Sequence, residues 1–118
     1  MANEIKLKIE MARGDSLEKG FILKQGGEPS ADVFDDVYFT VKKYHTDHDF
    51  VLQKRMSTGG IVYDGEGHYT MFIEPEDTNT LSFGDYDCDI EFKRAGYKRT
   101  FYGKFKLAKE VTHYYNEE

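Results

Sequence analysis

The sequence has no tryptophan, a single cysteine at Cys88, only two prolines, and no apolar run near the ~18 residues that would span a membrane. One cysteine excludes an internal disulfide framework and fits folding in a reducing compartment. Cys88 is then expected to pack as a small hydrophobe. The opening Met1-Ala2-Asn3-Glu4-Ile5-Lys6 lacks the apolar stretch of a secretory signal, so export by a leader is not expected. Positive charge is scarce: 16 Lys and Arg stand against 22 Asp and Glu, for a net charge of -6. A nucleic-acid footprint would be basic, so no such partner is expected. Also missing are the Gly-x-Ser-x-Gly elbow, the phosphate-cradling glycine loop and the His-Glu-x-x-His helix. The expectation is a protein that is not an enzyme, with no cofactor and no membrane partner.

What is present is alternation. Tyr86, Cys88, Ile90 and Phe92 take turns with Asp85, Asp87, Asp89 and Glu91. A period of two buries one face and wets the other, which is the signature of a strand over a core. Phe101, Gly103, Phe105 and Leu107 repeat it, with Thr100, Tyr102, Lys104 and Lys106 on the outer side. A turn at Ala95-Gly96 fits the two runs together. Ile90 then faces Phe101, Cys88 faces Gly103 and Tyr86 faces Phe105, while Asp87 meets Lys104 and Asp85 meets Lys106. A one-residue slip would send the wrong face inward. Tyr86, Cys88, Ile90, Phe101 and Phe105 are therefore the expected structural residues.

Elsewhere, Ile5 to Met11, Val37 to Val41 and Tyr69 to Ile73 alternate in the same way. Leu17 to Leu23, Phe50 to Lys54 and Ile61 to Tyr63 are shorter strand candidates. Glycine-rich turns separate them, and Pro75-Glu76-Asp77-Thr78 opens a one-turn helix between two strands. Seven to eight short strands with regular turn signals predict an all-β, antiparallel immunoglobulin-like sandwich. Its length of 118 residues suits one domain, 1–118, with 1–3 and 113–118 as flexible tails. Gly84-x-Tyr86-x-Cys88 has the spacing of a tyrosine corner. The Tyr86 hydroxyl is expected to bond the backbone between Asp77 and Leu81.

Few residues suggest chemistry. Two His and two Asp lie between His45 and Asp49, so His45 and His48 are the metal candidates, although a solvated hairpin loop explains this composition without a metal. The row Asp85-x-Asp87-x-Asp89 lacks the glycine and terminal glutamate of an EF-hand loop. Arg13-Gly14-Asp15 reads as a turn rather than an adhesion tripeptide. Tyr38, Tyr44 and Tyr97 are the aromatics available to a carbohydrate-binding module. Tyr44, Tyr114 and Tyr115 are the candidates for a protein interface, where tyrosine is enriched.

Three motifs taken together carry a resemblance. They are Arg13-Gly14-Asp15-Ser16, Val37-Tyr38-Phe39-Thr40-Val41-Lys42-Lys43, and the run Ile73-Glu74-Pro75-Glu76-Asp77-Thr78-x-x-Leu81-x-x-Gly84-x-Tyr86-x-Cys88-Asp89-Ile90. Gly103-Lys104-Phe105-x-Leu107 with Val111-Thr112 completes it. The pattern resembles the immunoglobulin-like N-terminal module of tailed-phage upper baseplate proteins and related small structural proteins of phages and prophages. The resemblance implies a virion structural or adaptor protein, made in the host bacterial cytoplasm and then built into the particle. Its partners would be other virion proteins and further copies of itself. The helical and receptor-binding-platform regions that follow the module in baseplate proteins have no counterpart here. Ala31-Asp32-Val33-Phe34-Asp35-Asp36 also departs from the family's approach to the third strand.

Overall fold

A computed structural model describes residues 7–109. Ten strands and one short helix follow in order: β1 Leu7–Ala12, β2 Leu17–Ile22, β3 Lys24–Gln25, β4 Glu28–Pro29, β5 Asp36–Lys42, β6 Leu52–Arg55, β7 Ile61–Gly65, β8 His68–Ile73, α1 Pro75–Thr78, β9 Gly84–Arg94 and β10 Tyr97–Ala108. They form a five-stranded sheet in the order β1-β10-β9-β5-β6, a three-stranded sheet β2-β8-β7 and a small ribbon β3-β4. The protein is all-β.

The period-two residues explain why the sheets close on each other. Leu7, Ile9 and Met11 of β1, Val37, Phe39 and Val41 of β5, Tyr86, Cys88, Ile90 and Phe92 of β9, and Phe101, Phe105 and Leu107 of β10 are all buried. So are Phe21, Ile61, Tyr69, Met71 and Ile73 of the smaller sheet, and together they make one apolar cluster. Each large side chain so buried contributes roughly 1.5–3 kcal/mol. Tyr69 meets Phe92 edge-on across the two sheets, with ring centroids 5.2 Å apart.

The β9–β10 ribbon has the register its alternation demands. Ile90 faces Phe101, Cys88 faces Gly103, Tyr86 faces Phe105, Asp87 faces Lys104 and Asp85 faces Lys106. Arg94 pairs with Tyr97, so Ala95 and Gly96 alone make the turn, with Gly96 at φ 73°. That left-handed conformation favours glycine.

Three expectations need correction. The sheet is not wholly antiparallel: β1 pairs with β10 in parallel, Leu7 beside Gly103 through Ala12 beside Ala108. Parallel pairing needs a long connection, and here almost the whole chain supplies it. The strand predicted from Phe50 begins at Leu52, because the turn that precedes it is longer; Asp47 closes it by accepting from the Tyr44 amide at 3.1 Å. The glycine-rich turn expected after Leu23 carries the β3-β4 ribbon, Lys24 opposite Pro29. The expected tails, Ile5 and the interface candidates Tyr114 and Tyr115 lie outside the described residues.

Gly103 shows why β1 can lie where it does. A β-carbon there would overlap the carbonyl oxygen and β-carbon of Leu7. The missing side chain opens the inner side of β10 to the start of β1.

The connection from β8 to β9 ties several elements together. α1 forms where Pro75 takes the first helical position, and the Asp77 carboxylate accepts from the Glu74 amide at 2.7 Å. Thr78 does not cap its own helix. Its buried hydroxyl accepts from the Gly14 amide at 2.8 Å, and Arg13 donates to the Leu81 carbonyl at 3.2 Å. The Arg13 guanidinium also sits 4.1 Å from the centroid of the Phe83 ring. The Arg-Gly-Asp turn is thus a latch onto the Pro-Glu-Asp-Thr crossover, and Arg13 is committed to holding it. Two of the three motifs that carry the sequence resemblance touch each other here.

Candidate surface on the outer face of the large sheet

Strand pairing lines the outward side chains of the five-stranded sheet into rows across the strands. One row runs Lys104–Asp87–Lys42, the next Tyr102–Asp89–Thr40–Gln53, the next Thr100–Glu91–Tyr38–Arg55. A position opposite another on an antiparallel pair lies within side-chain reach, so each row is a physical neighbourhood.

The first row is an ion-pair network. Asp87 takes a 2.6 Å contact from Lys104 Nζ and a 2.9 Å bond from the His45 amide, and its Oδ2 lies 3.3 Å from His45 Nδ1. The Lys104 hydrogen bond, then the His45 amide, hold the Asp87 carboxyl down at about 2. Its partner Lys104 is raised by the same contact. In the third row Arg55 donates to the Tyr38 hydroxyl at 3.0 Å and its guanidinium lies 4.6 Å from the Tyr38 ring centroid. Arg55 also reaches Asp36 Oδ2 at 3.0 Å. Asp36 is buried at the start of β5 and accepts from the Val37 and Ser57 amides, each at 2.9 Å. Burial pushes the Asp36 carboxyl up, but the bonds from Ser57, Arg55 and Val37 outweigh it and the net shift is downward.

The middle row differs. The two residues facing Asp89 are Thr40 and Tyr102, both neutral. Burial, then repulsion from Glu91, raises the Asp89 carboxyl, and the more distant Lys42 and Lys98 offset this only in part. Tyr102 is 76% exposed, the most exposed of the large apolar side chains among the described residues. The Thr40 hydroxyl accepts from Gln53 at 3.0 Å and keeps its own proton to give. Tyr102, Asp89, Thr40, Lys42, Asp87 and His45 line an open depression of about 260 Å³.

The remaining candidates fall as follows. Tyr86, Cys88, Ile90, Phe101 and Phe105 all lie in the core. The Tyr86 hydroxyl donates to the Ser82 carbonyl at 2.7 Å, one residue beyond the Asp77–Leu81 span expected for it. The chain between α1 and β9 brings that carbonyl, rather than one of the helix, within reach of the hydroxyl. Cys88 is buried, and burial pushes its thiol up to about 12. His45 and His48 are both exposed in the β5–β6 loop, and the His45 ring approaches Asp87. Among the described residues no group of three or more His, Cys, Asp or Glu side chains converges as a metal would require. Tyr44 is 61% exposed in the same loop, close in sequence to Phe50 at 51% and Val51 at 38%. Tyr38 and Tyr97 are half-buried under arginines, Tyr97 with the Arg94 guanidinium 4.5 Å from its ring centroid.

Sequence reasoning placed Tyr102 and Thr40 on an outer face. The β9–β10 register already sets Tyr102 opposite Asp89, but Thr40 and Gln53 join them only through the pairing of β9 with β5 and of β5 with β6. No helix among the described residues is long and apolar enough to cross a membrane.

The surface belongs to an all-β protein. No family model matches the chain, and no curated protein matches it in sequence. Among solved structures it is similar to an endo-β-1,4-mannanase from Thermotoga petrophila, with a TM-score of 0.59 at 13% identity. The match takes in 93% of this chain and 20% of that one, so the chain spans about a fifth of the enzyme's length. At that identity the likeness concerns the fold alone.

Proposed function

We propose that the chain is a non-enzymatic structural or adaptor subunit of a phage or prophage virion, of tail or baseplate type, acting through protein–protein contacts. The finer fold reading belongs with it: β1-β10-β9-β5-β6 facing β2-β8-β7, with a tyrosine corner at Tyr86, follows an immunoglobulin-like plan. The observation that carries the proposal is the β5–β6 loop. Tyr44, Phe50 and Val51 are exposed on a loop that Asp47 and Asp87 hold in shape, beside β6 at an edge of the large sheet. Pre-shaped exposed apolar groups beside an unpaired strand edge suit docking to another chain. The partners are other virion proteins, with copies of the chain repeated around the particle.

The test is co-expression with the products of neighbouring tail genes, followed by affinity capture. Wild type is expected to retain a tail protein, and Tyr44→Ala with Phe50→Ala to lose it while still folding. Capture of none of them would contradict the proposal.

A second reading, a carbohydrate-binding β-sandwich module, is favoured by one observation: the exposed Tyr102 beside Asp89, a carboxylate whose paired neighbours among the described residues are both neutral. The similar fold within a mannanase is compatible with it. A glycan array probed with wild type tests this reading, and silence across the array would end it.

A further inference from the structure

We infer that the cross-strand row Tyr102–Asp89–Thr40–Gln53 is a subsite for a neutral, hydroxyl-rich ligand, a saccharide. This rests on the second reading above and assigns its location, for which the sequence offered Tyr38, Tyr44 and Tyr97.

The argument starts from the pairing. Every other outward acid on β9 from 87 to 91 has a cation: Asp87 has Lys104, and Glu91 has Lys98 at 3.6 Å. Asp89 lies between two neutral residues and, among the described residues, makes no ion pair. A half-buried carboxylate without an ion pair is less well solvated than a free one, and donors brought by a ligand would relieve it. Thr40 and Gln53 extend the same line with a hydroxyl and an amide. At the far end Tyr102 offers an open ring face. Strands lie roughly 4.8 Å apart, so four of them make a line on the order of 14 Å, the length of a few sugar rings.

Charge selects the class of ligand. The depression and its continuation toward Lys104 are lined by Lys42 and Lys104 against Asp87 and Asp89. The balance of two cations and two anions gives no net pull on an ion. An anionic ligand would meet Asp89, and a cationic one would meet Lys42. A polyol donates to Asp89, exchanges hydrogen bonds with Thr40 and Gln53, and packs its C–H face on Tyr102.

The experiment is a titration of isotope-labelled protein with mannohexaose and with cellohexaose, followed by amide shifts in NMR spectra. Saturable shifts clustered on Thr40, Gln53, Asp89 and Tyr102 are expected with at least one of them. Tyr102→Ala and Asp89→Asn should each weaken binding about tenfold or more, Tyr102→Phe should retain most of it, and Tyr44→Ala all of it. Unchanged melting of the Tyr102 variants separates lost binding from lost folding. Binding abolished by Tyr44→Ala and kept by Tyr102→Ala would overturn this location and leave the second reading standing. No saturable binding to either sugar, together with silence on the glycan array, would overturn both. Shifts of the same row with arginine methyl ester alone would also overturn the saccharide assignment, since the row would then be a socket for a basic side chain.

Discussion

Tyr86 and Asp87 are adjacent and face opposite ways, and their chemistry differs accordingly. The Tyr86 hydroxyl bonds one carbonyl, Ser82, at 2.7 Å from a nearly buried ring. Tyr86→Phe removes it and leaves that carbonyl short of a donor, so a loss of about 1–2 kcal/mol is expected in urea unfolding. Asp87 is held down to about 2 by Lys104 and the His45 amide, against an ordinary 3.8. A depressed carboxyl stabilises the fold above its unfolded value, and the contribution is lost as pH falls from 3.8 towards about 2. Asp87→Asn should therefore lower the melting temperature at neutral pH and converge with wild type as pH falls through that window. Asp89 has the opposite sign. Its raised carboxyl favours the fold at low pH, and that contribution is lost as pH rises through the raised value. Asp89→Asn should melt higher than wild type at neutral pH, with the gap closing as pH falls towards 3.8. Cys88 is buried with its thiol pushed up to about 12, so it should resist iodoacetamide at mildly alkaline pH and react fully in denaturant. Rapid native labelling would mean β9 opens far more readily than its packing implies.

Among the elements, β1 depends on a residue it does not contain. Gly103→Ala puts a methyl group into Leu7, and among the described strands β1 pairs only with β10. A loss of about 2–4 kcal/mol is expected, with hydrogen-exchange protection lost first in residues 7–12. The β9–β10 ribbon was legible from the chain alone, because alternation over both arms and a glycine turn leave one register that buries Ile90 and Phe105 together. The parallel docking of β1 was not, since amphipathic alternation carries no information about direction. The Asp36 cluster was hidden for a related reason. Its partners Arg55 and Ser57 lie on the far side of a loop, and no spacing rule links them to residue 36. The family-like motifs were legible as a set, but their meaning as a latch, Gly14 to Thr78 and Arg13 to Leu81, needed the fold.

At the scale of the whole molecule, two sheets share one apolar interior and leave the working surface outside. Alternation forecast that outer face strand by strand. It forecast neighbours within the β9–β10 ribbon but not across β9, β5 and β6, so the full Tyr102 row went unseen. We propose that the β5–β6 loop at the edge of this face serves contact within a virus particle. Mass spectrometry of gradient-purified particles from the source tests that most directly. Peptides of this chain are expected in the particle fraction, in fixed ratio to known tail proteins. Their absence from particles, with abundant chain left in the cleared lysate, would contradict it.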